Sequence, residues 1–310
     1  RKLFHNIIQL CIGSVFICAA FLKLLSIDEL EIYIYSFNIL SFLTTTLLSR
    51  LLIAGELLLG ILLILKTYNK ITWVTTMSVM VVFTIFLIYS ALFRDDENCH
   101  CFGNTIELSP IASIIKNIIV IILLLLIKKD IFNTKETNNK KKKVITILLC
   151  PTVLLLIFII SPIDSIYKMI YSTEKEVSSI DLLESFDDVT KINFYNDSIS
   201  FDTTSTFSHE EGSHMIAIVS SGCKYCHIGV KKMSMIMRNK EINSNKVNIF
   251  IWGSPEGIID FAKETLSENY TYWHIMPNKA IDITYGRFPA FIWLDDKKIV
   301  KIGDFRDIDD

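Results

Sequence analysis

Apolar residues crowd into long uninterrupted runs before residue 163 and into short strand-length pieces after it. The 23 residues between Lys70 and Arg94 carry no charge, and neither do the 20 between Lys143 and Asp164. About 20 such residues let a helix cross a bilayer. Leu108 to Ile127 is interrupted only by Lys116. The run 4–25 holds Lys23 near its end, where a long side chain can snorkel to the headgroups, and the run 48–65 carries one internal acid, Glu56. The pattern predicts five membrane helices, at 4–25, 48–65, 71–93, 108–127 and 144–163. The stretch 32–47 is uncharged but rich in Tyr, Ser, Thr and Asn. It reads as an interfacial helix or re-entrant loop.

After Ile163 the pattern changes. Residues 164–208 are polar and acidic, with one strand-like piece at 191–196. Apolar strands are then predicted at 215–221, 247–253, 288–296 and 297–303, with helices at 227–240 and 255–268. Strand, helix, strand, helix and a closing hairpin make an α/β sandwich pattern. The predicted fold class is therefore a membrane α-helical bundle followed by an α/β domain. The boundaries are a four-helix unit over 1–130, a Lys-rich loop and fifth helix over 131–163, and a second domain over 164–310.

Charge sets the expected orientation. The loop 128–143 holds seven Lys, and the turn 66–70 has Lys66 and Lys70 without an acid. The loop 94–107 is acidic, with Asp95, Asp96, Glu97 and Glu107 against one Arg. The positive-inside rule places the basic loops in the cytoplasm. The acidic loop and everything after Ile163 then face outward, with the first helix as a signal anchor in the bacterial inner membrane. The whole chain balances 31 basic against 33 acidic residues, for a net charge of -2. Without a broad basic face, nucleic acid is excluded as a partner. Seven Cys in 310 residues are too sparse for a disulfide scaffold.

Cys223 and Cys226 form C-x-x-C where a predicted strand meets a predicted helix. A helix N-terminus stabilises a thiolate, and Lys224 adds a cation. Cys223 is the expected attacking thiolate, and Cys226 resolves the mixed disulfide. Rival readings are a zinc half-site and, because His227 completes C-x-x-C-H, haem c attachment. Cys99 and Cys101 form C-x-C in CHCFG, with His100 between them. That trio could bind zinc or copper. A disulfide across one residue is strained and readily reduced, which suits a redox relay. A carboxylate at membrane depth faces protein or water. Glu56 therefore reads as an ion-pair partner of Lys23 or as a proton shuttle. Gly55 and Gly60 read as close helix contacts. Cys11 and Cys18, seven apart on one helix face, read as buried packing residues, and Cys150 as inert.

Residues 190–305 resemble a thioredoxin-like domain, through SSGCKYCH at 220–227 and the Phe288-Pro289 pair opening FPAFIWLDD. The resemblance implies a cis peptide at Pro289 beside the redox cysteines. Lys-Tyr between the cysteines and Gly222 before them depart from the usual motif, and no closing helix is predicted before Asp310. The first 130 residues resemble the methylamine-utilisation MauE-like membrane proteins, related to the DoxX group. The matching pieces are IGSVFICAAFLKLL (12–25), IAGELLLGILLIL (53–65), NCHCFGN (98–104) and Lys116-Asn117. That resemblance implies maturation of disulfide-containing partners alongside a thioredoxin-like protein.

The combined expectation is a membrane-anchored thiol–disulfide oxidoreductase. Cys223, Cys226 and Pro289 form its catalytic site, and Cys99 and Cys101 act as a membrane-side relay. Its partners are extracytoplasmic proteins with thiols or disulfides. The competing expectations are a quinone-linked disulfide generator, with a quinone as cofactor, and a metal- or haem-handling maturation factor.

Overall fold

A computed structural model of the chain describes residues 2–67, 69–94, 99, 101–104, 108–133, 140–164, 186, 189–195, 198–207, 212–296 and 298–308. His100 lies outside them, as does most of the acidic stretch 164–208. The chain forms two compact units, Arg1–Ile163 and Asp164–Asp310.

The first unit is helical: α1 (Lys2–Leu25), α2 (Ile27–Tyr35), α3 (Phe42–Leu65), α4 (Asn69–Phe93), a short strand β1 (Cys101–Asn104), α5 (Pro110–Asn133) and α6 (Lys140–Ile160). Among the described residues, four helices are long and apolar enough to cross a membrane: Leu3–Leu25, Phe42–Leu65, Asn69–Phe93 and Pro110–Asn133. The apolar part of α6, Val144–Ile160, is shorter. Its Val153 and Ile157 nevertheless share a buried cluster with Ala20, Ile27, Leu30, Ile53 and Ala54. Arg50 holds the end of α6, donating from Nε to Ser161 O at 2.9 Å and from Nη2 to Pro162 O at 3.0 Å. The same guanidinium pairs with buried Glu31 of α2.

The expected start of the second crossing at residue 48 is corrected, because α3 begins at Phe42. Ser41 caps α3 through the Thr44 amide, and the Thr44 and Thr45 hydroxyls donate back to Ser41 O at 2.9 and 3.0 Å. The polar residues Ser41, Thr44 and Thr45 of the stretch 32–47 are thus satisfied within their own helix. Only Ile27–Tyr35, as α2, stays separate. Two further readings are corrected. Lys23 does not snorkel to the surface; it is buried. Cys11 and Cys18 do share a face of α1, but it is the exposed one, opposite buried Ile8, Ile12 and Phe16.

Helices α1 and α3 meet at backbone distance. A Cβ on Gly60 would lie 2.8 Å from Gly13 O, and one on Gly13 would lie 2.8 Å from Gly60 O. Gly55, expected to do the same, faces nothing within 4 Å. Gly13 is the partner that sequence reading missed.

The second unit carries a seven-stranded sheet among the described residues. Its strands are β2 (Thr190–Tyr195), β3 (Ser198–Asp202), β4 (Ser213–Ser220), β5 (Val247–Trp252), β6 (Thr271–His274), β7 (Ala290–Asp295) and β8 (Lys298–Gly303), in the order β3-β2-β6-β5-β4-β7-β8. The centre, β4-β5-β6, is parallel and the flanking pairs are antiparallel. The intervening helices are α7 (Lys224–Asn239), α8 (Pro255–Glu264) and α9 (Pro277–Thr284). Ile216, Ala217, Ile218 and Val219 of β4 are all fully buried, as expected of a central strand covered on both faces. Ile216 and Ile218 pack with Phe250, Ile292 and Ala280 of α9. On the other face, α7 comes so close that a Cβ at Gly229 would lie 3.0 Å from the Phe291 ring. Sequence periodicity does not anticipate β6 and α9, whose apolar patterns are only 4 and 8 residues long.

Gly60→Val should force α1 from α3 and lower stability by about 1–3 kcal/mol. Gly55→Val should be nearly neutral. Thermal unfolding of the purified chain in detergent checks the pair, and equal losses would refute the seam.

Candidate functional site: two cysteine pairs

Cys223 occupies the N-cap of α7, just beyond strand β4, whose C-terminal half is buried. Ser221 N donates to Trp252 O at 3.1 Å, and Cys223 N donates to Ser220 O at 3.2 Å. The turn that carries the first cysteine is thereby tied to two central strands. Cys226 N and His227 N both donate to Cys223 O, starting the helix. Cys223 is half-buried and Cys226 is completely buried.

That difference separates their chemistry. The Cys223 thiol is lowered to about 6, first by a hydrogen bond from the Cys226 thiol. Burial opposes the shift, while the first-turn N–H groups of Cys226 and Tyr225 and the charge of His227 add to it. Burial, and then the bond it donates to Cys223, pushes the Cys226 thiol far upward. One sulfur has thiolate character and its neighbour stays a protonated thiol.

Two flanking residues complete this environment. His227 Nε2 lies 2.7 Å from Ser221 O, and its Nδ1 lies 2.9 Å from Glu264 Oε2 of α8. Glu264 has no signature in sequence, because only the packing of α8 beside α7 brings it there. Pro289 follows a cis Phe288-Pro289 peptide. It precedes β7, whose Ala290 is in register with Ile218. That register puts Pro289 at the end of β4 from which the C-x-x-C turn departs.

Cys99 and Cys101 sit at the β1 turn of the first unit. Cys99 Sγ lies 2.9 Å from Ser113 Oγ of α5 and accepts the Cys101 amide at 3.3 Å. Its own amide donates to Leu108 O at 3.0 Å. The Cys101 thiol, Ser113, the Cys101 amide and the nearby Lys116 ammonium outweigh burial and lower Cys99 to about 6. Cys101 moves the other way, far above the ordinary thiol, through its bond to Cys99 and through burial. The turn fits against α1 only because residue 103 is glycine. Its φ is +65°, and a Cβ would lie 2.1 Å from Ser26 Oγ and 2.7 Å from Leu22 O. Lys116 Nζ stands 4.4 Å from the centre of the Phe102 ring. Ser113 is a site residue that sequence reading missed. Its signal was helical spacing, since Ser113, Asn117 and Val120 form one buried stripe of α5.

Lys23 and Glu56 form a buried ion pair between α1 and α3. Among the described residues, no group of three His, Cys, Asp or Glu is arranged to hold a metal.

Comparison with known proteins gives three findings. Residues 1–128 match the family described as methylamine utilisation protein MauE. Together with the four long apolar helices, this indicates a multi-pass membrane protein. A stretch of 74 residues is 40% identical to Protein TlpB of Flavobacterium psychrophilum, covering 23% of this chain and 20% of that protein. The match therefore spans about a fifth of that relative's length. No solved structure matches the chain.

Alkylation of Cys223 should rise with pH around a midpoint near 6, because the thiolate is the reacting form. Cys226→Ala removes the largest favourable contact and should move the midpoint up toward the ordinary value of about 8.5. His227→Ala should move it the same way by less. Iodoacetamide labelling followed by mass spectrometry across pH 4–10 measures all three, and an unmoved midpoint in Cys226→Ala would contradict the assignment.

Proposed function

We propose that the chain is a membrane-anchored thiol–disulfide oxidoreductase whose second unit is a thioredoxin-like domain outside the cytoplasm. One observation carries this reading. A half-exposed thiolate at a helix N-terminus, Cys223, is paired with a buried protonated thiol, Cys226. Cys223 attacks a client disulfide, the client's leaving sulfur departs as thiolate, and Cys226 then displaces the client from the mixed disulfide. Run backwards, the same steps deliver a disulfide to client thiols. The central β4, the α7 N-terminus and Pro289 at the same strand end support the thioredoxin-like reading. The match of residues 1–128 to MauE supports the membrane half.

Cys99 and Cys101 act in this reading as the membrane-side relay that resets Cys223 and Cys226. The direct contact of the two sulfurs in each pair supports it, with one thiol lowered and its neighbour raised; in the membrane-side pair Cys99 is the buried member and Cys101 the partly exposed one. The relay requires both pairs on the outer side. The seven-Lys loop 128–143 supports that orientation, with α6 as the fifth crossing.

Cys223→Ser should abolish exchange, reducing it by at least about 100-fold. Cys226→Ala should accumulate mixed disulfides, including one from Cys223 to Cys99 or Cys101. Non-reducing electrophoresis and peptide mapping test both variants; near-normal exchange in Cys223→Ser would refute the nucleophile. For topology, a membrane-impermeant maleimide should label Cys223 in cells whose outer membrane alone is permeabilised. Labelling only after inner-membrane lysis would overturn the orientation.

A further inference from the structure

Helices α1, α3, α4 and α5 and the β1 turn line a partly open cavity of about 50 Å³. Val15, Phe16, Ala19, Met80, Phe83 and Val120 make most of its wall apolar. The exceptions are Lys23, Glu56, Cys101, Lys116 and Asn117. A void of this size holds ordered water, whereas pockets for organic cofactors run to about 300 Å³ or more. One carboxylate oxygen of Glu56 meets Lys23 Nζ. The other, Oε2, is buried without a hydrogen-bond partner among the described residues. A buried acceptor left bare is costly, so a donor in the cavity is called for.

We propose that this cavity is the proton port of the Cys99/Cys101 pair, in which Glu56, through water held there, takes the proton that Cys101 loses when the two sulfurs join and returns it when they part. The inference rests on the redox reading of that pair. The Cys99 thiolate attacks a disulfide, forming a mixed disulfide and releasing one thiolate. Cys101 passes its proton to the Glu56 carboxylate and attacks Cys99 Sγ. The Cys99–Cys101 bond forms and the second thiolate leaves. Two electrons pass to the incoming disulfide, and one proton rests on Glu56. The reverse sequence returns both, so the port serves either direction of electron flow.

Among the described residues, the charged groups near Cys101 are few. Lys23 of α1 and Lys116 of α5 both favour its thiolate. Glu56 comes from α3, and the α4 wall contributes only Met80 and Phe83. Among the described residues, Cys99 is the remaining titratable neighbour.

The test uses the full chain in lipid discs with Cys223→Ser and Cys226→Ser, so that the second unit is redox-silent. The probe is 2-hydroxyethyl disulfide, a small uncharged oxidant, with acid quenching and mass spectrometry of the 99–101 peptide. In this parent, a Cys99 adduct should form and close to the Cys99–Cys101 disulfide. Adding Glu56→Gln should leave adduct formation unchanged but slow closure by about 100-fold at pH 7, with a rate that now climbs with hydroxide. Glu56→Asp should restore part of the rate. Lys23→Met with Glu56→Gln leaves no unpaired buried charge and guards against misfolding; it should close as slowly. Normal closure with an unchanged pH profile in both glutamine variants overturns the port, as does equal slowing of adduct formation and closure. Failure of the parent to form any Cys99 adduct overturns the redox reading itself, and the inference with it.

Discussion

An ionised group withdrawn from water persists only beside an opposite charge or a set of hydrogen-bond donors. The first unit is arranged around two such obligations. Glu56 cannot leave Lys23, so α1 and α3 are locked in register where their backbones already touch at Gly13 and Gly60. Arg50 cannot leave Glu31, and its remaining N–H groups reach the carbonyls that end α6. Apolar packing alone would let lipid-facing helices slide, because Leu against lipid is no worse than Leu against Leu. The buried pairs remove that freedom.

The same rule governs sulfur in both units, by different means. At Cys223 the stabilising donors are the first-turn amides of α7 and the Cys226 thiol, with the charge of His227 behind them. At Cys99 the described residues supply no such helix start. Ser113, the Cys101 amide and thiol, and the Lys116 ammonium are gathered from α5 and the β1 turn instead. In each case the neighbouring thiol is held protonated, Cys226 by burial and then by the bond it donates to Cys223, Cys101 by its bond to Cys99 and then by burial. That division leaves one sulfur of each pair with thiolate character and the other with thiol character.

Much of this was legible from order along the chain. Helix crossings announce themselves because a bilayer demands some 20 apolar residues in succession. The C-x-x-C announces itself because adjacency and a following helix are both local properties. The cysteine pairs and Lys23 with Glu56 could be named from residue type and spacing, and so could the change of character near residue 163; Pro289 came only through the resemblance to thioredoxin-like domains.

The tertiary structure decided what depends on residues far apart in sequence. It put Glu264 of α8 on His227 and Ser113 of α5 on Cys99. It made Gly13 rather than Gly55 the partner of Gly60, and it turned Cys11 and Cys18 outward. It also moved the start of α3 to Phe42 and added β6 and α9 to the second unit. Periodicity specifies that a helix has two faces but not which neighbour each face meets. A four-residue strand such as β6 carries too few positions to show a period at all. Those choices are made by packing, and only the folded chain contains them.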